Sequence, residues 1–189
     1  MTDTVGHSFG PSALATPANA LTVARLLATP IFVALIANKG ASWWTVAVGL
    51  LVAGSDGLDG WLARRQGTTR SGAFLDPLAD KVVVLSALFL LSYEHVLPWV
   101  PVALIAAREF LMSVYRSWIG RRGVSIPART TAKIKTLVQD LAIATCVIPP
   151  LATHHTLHLV AIWVAAAFTI GSGLQYLLDG RRAAQPQPR

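Results

Sequence analysis

Four aspartates stand inside otherwise apolar sequence, in Asp56-Gly57-Leu58-Asp59-Gly60-Trp61-Leu62-Ala63-Arg64 and Gly72-Ala73-Phe74-Leu75-Asp76-Pro77-Leu78-Ala79-Asp80. One carboxylate at the centre of a bilayer costs about 2.5–3.5 kcal/mol even on insertion scales, and neighbouring carboxylates also repel. Such a cluster persists only where cations compensate it, so the pattern reads first as a divalent-metal site at a membrane surface. A proton or cation pathway would need a polar track to the far side. The outer halves of the second and third apolar runs carry almost no ionisable residues, which argues against transport.

The rest of the chain fits a membrane. Of its 189 residues, 53% are hydrophobic and only 13% charged, against about 25% charged in soluble domains. Apolar runs recur near 20–37, 42–55, 82–93, 97–114, 137–152 and 157–178. The shorter ones approach the ~20 residues that cross about 30 Å of hydrocarbon once the polar motif residues at their ends are included. The expectation is an all-α integral membrane protein with six transmembrane helices in a single domain at 19–180. A flexible or interfacial segment at 1–18 precedes it, and a disordered basic tail at 181–189 follows. Pro30 is expected to bend the first span, and Trp43, Trp44, Tyr93 and Trp99 flank the outer ends of spans as aromatic belts do.

The net charge of +7 would suit a nucleic-acid partner if it formed one face, but its placement says otherwise. Arg64, Arg65 and Arg70 fall between the second and third runs, Arg116, Arg121, Arg122, Arg129, Lys133 and Lys135 between the fourth and fifth, and Arg181, Arg182 and Arg189 at the end; the opposite side has Lys39 alone. By the positive-inside rule both termini and the acidic motif face the cytoplasm of a multi-pass cell-membrane protein, with no nucleic acid implied. Arg121, Arg122 and Arg129 read as topology-setting attraction to anionic lipid rather than as substrate ligands. The first run, with Arg25 inside it and no basic start, reads as a span rather than a cleavable signal peptide. Cys146, the single cysteine, reads as packing; His154, His155 and His158 are metal-ligand types, but no carboxylate lies near them in sequence, which argues against a metal site.

Asp56 and Asp59 are spaced i, i+3 and Asp76 and Asp80 i, i+4, so each pair shares a helical face. With spans entered at Ser42 and left at Tyr93, Asp56 and Asp80 lie at nearly the same depth, roughly 20 Å from the outer side at 1.5 Å per residue. Four carboxylates at one level suit two Mg²⁺ or Mn²⁺ ions better than zinc, and paired divalent ions serve where a phosphoryl group is held and polarised. Gly57 and Gly60 either admit a bulky ligand to the helix backbone or allow close helix packing.

Asp56-x2-Asp59-Gly60-x2-Ala63-Arg64 … Gly72-x3-Asp76-x3-Asp80, eight positions over 25 residues, resembles the signature of the CDP-alcohol phosphotransferases. The connection between Arg64 and Gly72 is one residue shorter than is usual in that family. The resemblance implies membrane enzymes that move a phosphatidyl group from CDP-diacylglycerol to an alcohol and release CMP. It further implies that Asp56 and Asp76 bridge both metals, that Asp59 completes the first, and that Asp80 contacts the second and acts as base. Asn19, Thr22, Gly60, Arg64 and Thr69 would contact CDP-diacylglycerol, and the assembly would be a homodimer. Small residues such as Ala165, Ala166, Ala167, Gly171 and Gly173 permit close helix packing.

Further segments resemble the bacterial branch of the family that uses glycerol 3-phosphate and forms phosphatidylglycerophosphate: Asn19-Ala20-Leu21-Thr22-x2-Arg25, Asp76-Pro77-Leu78-Ala79-Asp80-Lys81, Ala107-Arg108-Glu109-Phe110 and Ala132-Lys133-Ile134-Lys135-Thr136-x2-Gln139. Arg108, Lys133 and Lys135 would then hold the acceptor phosphate, a dianion that suits cationic donors. Lys133 and Lys135 point in different directions on a helix. The branch that makes cardiolipin from phosphatidylglycerol is the nearest rival.

Overall fold

Among the described residues six helices follow the six apolar runs: α1 (Pro17–Lys39), α2 (Trp43–Gln66), α3 (Gly72–Tyr93), α4 (Trp99–Arg121), α5 (Thr130–Val147) and α6 (His155–Ala183). The computed structural model describes the backbone at 17–66, 72–121 and 130–183, and side chains at 20, 22–55, 78–118 and 134–178. The described residues contain no strand. Both aspartate pairs fall within continuous helix, Asp56 and Asp59 in α2 and Asp76 and Asp80 in α3. α1 runs on through Pro30, and α6 continues through Arg181 and Arg182 to Ala183, into the segment expected as a tail.

Local chemistry sets the ends. Pro17 occupies the first position of α1, where its missing N–H is no loss. Gly40, at φ 56°, ends that helix in the left-handed conformation and donates its N–H to Ile36 O at 2.9 Å. Ser42 caps α2, its Oγ accepting the Thr45 N–H at 3.2 Å, while the Thr45 hydroxyl donates to Gly40 O at 3.0 Å. After α3 the left-handed residue is His95, at φ 60°, and the N–H groups of Val96 and Leu97 return to Leu91 O at 2.9 and 3.1 Å. Pro149 and Pro150 lie just beyond α5, where helix cannot continue.

The connections at 40–42, 94–98 and 148–154 are short, so α1/α2, α3/α4 and α5/α6 form antiparallel hairpins. α1 packs on both α2 and α3, α6 packs on α4 as well as α5, and α5 reaches α3 and α2. A shared core joins them: Phe32 and Ile36 from α1, Leu88 from α3, Ile105 from α4, Ile143 from α5 and Ile162 and Ala165 from α6 are all buried. Cys146 and Ala166 lie in this core too, as packing residues.

Many large hydrophobic side chains face outward among the described residues. Leu27 and Ile31 of α1, Leu50 and Leu51 of α2, Phe110, Leu111 and Val114 of α4, and Val160, Trp163 and Phe168 of α6 are all exposed. Contiguous apolar surface on this scale belongs in lipid. Thr22–Lys39 and His155–Leu178, 18 and 24 residues long, are apolar and long enough to cross a membrane by length and composition, and Trp43–Ser55 is a shorter apolar stretch. The other helices carry charged motif residues within their apolar sequence. Trp43, Trp44, Tyr93 and Trp99 are exposed at helix ends on the side of the three short connections.

Close approach of α1 and α2 depends on Gly49. A Cβ there would lie 2.9 Å from the ring of Phe32, which is buried, whereas a Cβ at Gly54 would meet nothing within 4 Å. Gly49→Ala is expected to lower stability by about 1–3 kcal/mol through overpacking, with Gly54→Ala near neutral. Thermal unfolding of the two variants in the same detergent checks the difference.

Candidate functional site: an acidic helix pair beside a buried cation cluster

α1 lies against both helices that carry the aspartates, and one of its polar side chains reaches Ser55, the residue before the first pair. Arg25 is 3% exposed and donates from Nε to Ser55 Oγ at 2.9 Å, one residue before Asp56; Ser55 donates onward to Val52 O at 2.7 Å. Thr22, one turn earlier on the same face, is fully buried. A guanidinium held out of water beside the start of the acidic motif lowers the cost of placing carboxylates there.

The side chains of Asp56, Asp59, Asp76, Gly60, Arg64, Asn19 and Lys133 lie outside the described residues, and so does Thr69 altogether. Their backbone, Thr69 excepted, is helical, so the i, i+3 and i, i+4 spacings put each aspartate pair within one turn of helix. Asp80 is described and half-buried on α3, next to fully buried Ala79. Among the described residues no three His, Cys, Asp or Glu side chains converge as a metal group. His158 is buried at the start of α6, its Nε2 3.2 Å from Leu151 O and its ring edge-on to His155.

One residue past Asp80 begins a second arrangement, centred on Glu109. This carboxylate is buried, and three cations from three helices surround it. Lys135 of α5 approaches Oε1 at 2.6 Å, Arg108 of α4 reaches the same oxygen at 2.9 Å, and Lys81 of α3 stands 3.8 Å from Oε2. Lys81 also donates to Glu109 O at 3.3 Å and to the Ser113 hydroxyl, which itself donates to Glu109 O at 2.8 Å. Arg108 is held from its far side by Ser172 of α6, at 3.1 Å. Below Lys135 on the same face of α5, buried Gln139 donates to Thr169 of α6 at 2.7 Å.

Among the described residues, three cations meet this one carboxylate, two more positive charges than negative in these ion pairs. The cluster is not sealed: the Lys81 side chain keeps 28% of its exposure and Arg108 16%. Ser113, next to Lys81, also lines a cavity of about 360 Å³ with Val114, Ser117 and Trp118. An anion with two charges and several acceptor oxygens is the natural complement of such a group.

Arg108 and Lys135, both expected at an acceptor-phosphate site, are therefore brought together, though as partners of one carboxylate rather than as free cations. Lys135 turns inward while its neighbour Ile134 faces out; the Lys133 side chain lies outside the described residues. Glu109 and Lys81 were visible in sequence only as parts of quoted segments. The signal that could have singled out Glu109 is a carboxylate alone in the middle of an apolar run, which needs a cation partner. Ser172 gave no such signal.

Glu109→Gln is expected to leave three partly buried cations without a counter-charge and to destabilise the protein by about 3 kcal/mol, the scale for breaking one side of a buried ion pair. Denaturant or thermal unfolding of the detergent-solubilised variant against wild type checks this.

Comparison with known proteins agrees with this geometry. The family model for CDP-alcohol phosphatidyltransferase matches residues 15–171, which takes in both aspartate pairs and the Glu109 cluster. The chain is 40% identical over 179 residues to a CDP-diacylglycerol–glycerol-3-phosphate 3-phosphatidyltransferase of Pseudomonas fluorescens, covering 89% of each chain. It is 37% identical over 170 residues to the protein of that name from Escherichia coli (strain K12), covering 85% of this chain and 92% of the relative. A probable phosphatidylglycerophosphate synthase of Mycobacterium tuberculosis (strain ATCC 25618 / H37Rv) is 36% identical over 186 residues, covering 94% of this chain and 87% of the relative. With most of its length matched in this way and its motif aspartates carried on two helices packed against α1, the chain belongs to the CDP-alcohol phosphatidyltransferase family.

Proposed function

We propose that this enzyme transfers the phosphatidyl group of CDP-diacylglycerol to glycerol 3-phosphate, releasing CMP and forming phosphatidylglycerophosphate in phospholipid biosynthesis. The observation that carries the choice of acceptor is the Glu109 cluster, whose two excess positive charges lie one residue along α3 from Asp80 and match a phosphate monoester dianion. The names of the relatives support the same acceptor.

Asp56, Asp59, Asp76 and Asp80 would hold two Mg²⁺ or Mn²⁺ ions. The donor set fits: hard carboxylate oxygens, each pair within one turn of helix, and the buried Arg25 at the edge of the motif. Bound there, such ions neutralise the pyrophosphate of the donor and polarise the phosphorus under attack. Asn19, Thr22, Gly60, Arg64 and Thr69 would orient CDP-diacylglycerol. Arg108, Lys135 and Lys133 would hold the acceptor phosphate, so that the free hydroxyl faces Asp80. Asp80 accepts the hydroxyl proton as the alkoxide oxygen bonds to the phosphatidyl phosphorus, and the bond from that phosphorus to the bridging oxygen of CMP breaks. Alcohols need such a base at neutral pH.

The same reading makes the chain a single domain with six spans, both termini and the active site on the cytoplasmic side of the cell membrane, acting as a homodimer. The exposed apolar faces, the exposed aromatic residues at the end of the three short connections and the basic residues of the opposite end support that orientation.

Three outcomes follow. Asp80→Asn is expected to cut CMP release at least 100-fold, within the range usual for loss of a general base, while CDP-diacylglycerol still binds; retention of more than a tenth of wild-type turnover would remove Asp80 from that role. EDTA should inactivate the wild type with recovery on adding Mg²⁺ or Mn²⁺, and Asp56→Ala should shift the metal titration and weaken donor binding together. In an acceptor comparison with CDP-diacylglycerol, glycerol 3-phosphate should exceed glycerol by at least about tenfold for one lost charged contact, and should exceed phosphatidylglycerol and inositol phosphate; cardiolipin as the main product would move the chain to the rival branch.

A further inference from the structure

Thr169, Ser172, Gly173 and Tyr176 recur at i, i+3, i+4 and i+7, one face of α6, and that face runs along the functional half of the molecule. Thr169 takes the hydrogen bond of Gln139. Tyr176 stands edge-on to Tyr115 and lies under the Arg116 guanidinium, 5.6 Å from its ring centre. Between them, Ser172 and Gly173 both meet Arg108. Ser172 Oγ accepts from Arg108 NH1's neighbour NH2 at 3.1 Å and is itself oriented by donating to Thr169 O at 2.9 Å. A Cβ on Gly173 would lie 2.9 Å from Arg108 Nε and 3.3 Å from its Cγ. That Nε is buried and finds no hydrogen-bond partner among the described residues, so Arg108 is held at one end by Glu109, at the other by Ser172, and along its stem by the space Gly173 leaves.

We infer that Ser172 and Gly173 of α6 are positioning residues for the acceptor: they set where the Arg108 guanidinium stands, and through it the apparent affinity for the acceptor phosphate. This rests on the reading of Arg108 as a phosphate ligand. Gly173 is then required for an arginine side chain rather than for close approach of two helix backbones. Gly171, two residues away, has nothing within 4 Å of an added Cβ and has no such role.

The test compares steady-state constants of purified full-length variants, supplied with CDP-diacylglycerol, Mg²⁺ and glycerol 3-phosphate. Gly173→Ala should raise KM for glycerol 3-phosphate about tenfold, which corresponds to about 1.4 kcal/mol, while KM for CDP-diacylglycerol stays within twofold. Ser172→Ala should act in the same direction and Ser172→Thr, which keeps the hydroxyl, should recover most of the loss; Gly171→Ala should match wild type. In an Arg108→Ala background Gly173→Ala should add nothing, since there is no side chain left to displace. If Arg108→Ala itself leaves the glycerol 3-phosphate KM unchanged, the acceptor reading fails. If Arg108→Ala raises it but Gly173→Ala and Ser172→Ala do not, or if they lower both KM values and kcat alike, the inference about α6 is wrong. Should Gly173→Ala not fold, the Ser172→Ala and Ser172→Thr pair decides alone.

Discussion

The carboxylate of Glu109 is the point on which the inner half of this enzyme depends. It is buried among helices, where an unpaired charge would cost several kcal/mol, and it is compensated by Lys135, Arg108 and Lys81 from three different elements. Each of those cations would be as costly alone. Together they make the packing of α3, α4 and α5 specific, because a slip of one helix along another separates charges rather than merely exchanging one apolar contact for another. Ser172 extends the same network to α6 through Arg108. In a setting where lipid offers no hydrophobic reward for helix association, such polar ties are among the few interactions that select one arrangement.

The surplus of positive charge in this network has a functional consequence. A purely structural ion cluster is most stable when its charges balance. Among the described residues, the ion pairs here hold two more cations than carboxylates, beside a helix that carries an acidic motif of opposite sign. On the proposed reading, a region for cations on α2 and α3 stands next to a region for an anion on α3, α4 and α5. A transfer between a metal-bound pyrophosphate and a phosphorylated alcohol needs both, separated by the length of the acceptor. Lys81, directly after Asp80, joins the two regions along one helix.

α1 supports the acidic side from behind. It touches both α2 and α3, and its buried Arg25 ends at Ser55, the residue before Asp56. The close approach that brings Arg25 there is permitted by Gly49 against Phe32. Packing at one end of the hairpin and electrostatics at the other are therefore parts of one device, and the exposed apolar faces of α1 and α2 are left to lipid.

Much of this was legible in the sequence. Each of the six apolar runs falls in a helix among the described residues, with ends near those expected at Lys39, Trp43 and Tyr93, whereas α2 runs on to Gln66, α3 begins at Gly72, and α5 spans Thr130–Val147, stopping short of Pro149. That each aspartate pair shares a helical face follows from helical periodicity, and the family was legible through the resemblance of the motif residues to its signature. What sequence could not supply was pairing. Arg108 and Lys135 could be named as cations for a phosphate, yet nothing in their spacing said that they share Glu109, that Lys81 joins them, or that Gly173 clears the space for Arg108. Local sequence determined the helices and the chemistry each one carries, since turn residues and a 3.6-residue period act over a few positions. Only the tertiary structure decided which groups meet across helices, because Lys135 and Lys81 lie 26 and 28 residues from Glu109, and Ser172 lies 64 from Arg108, so their distances depend on how whole helices pack.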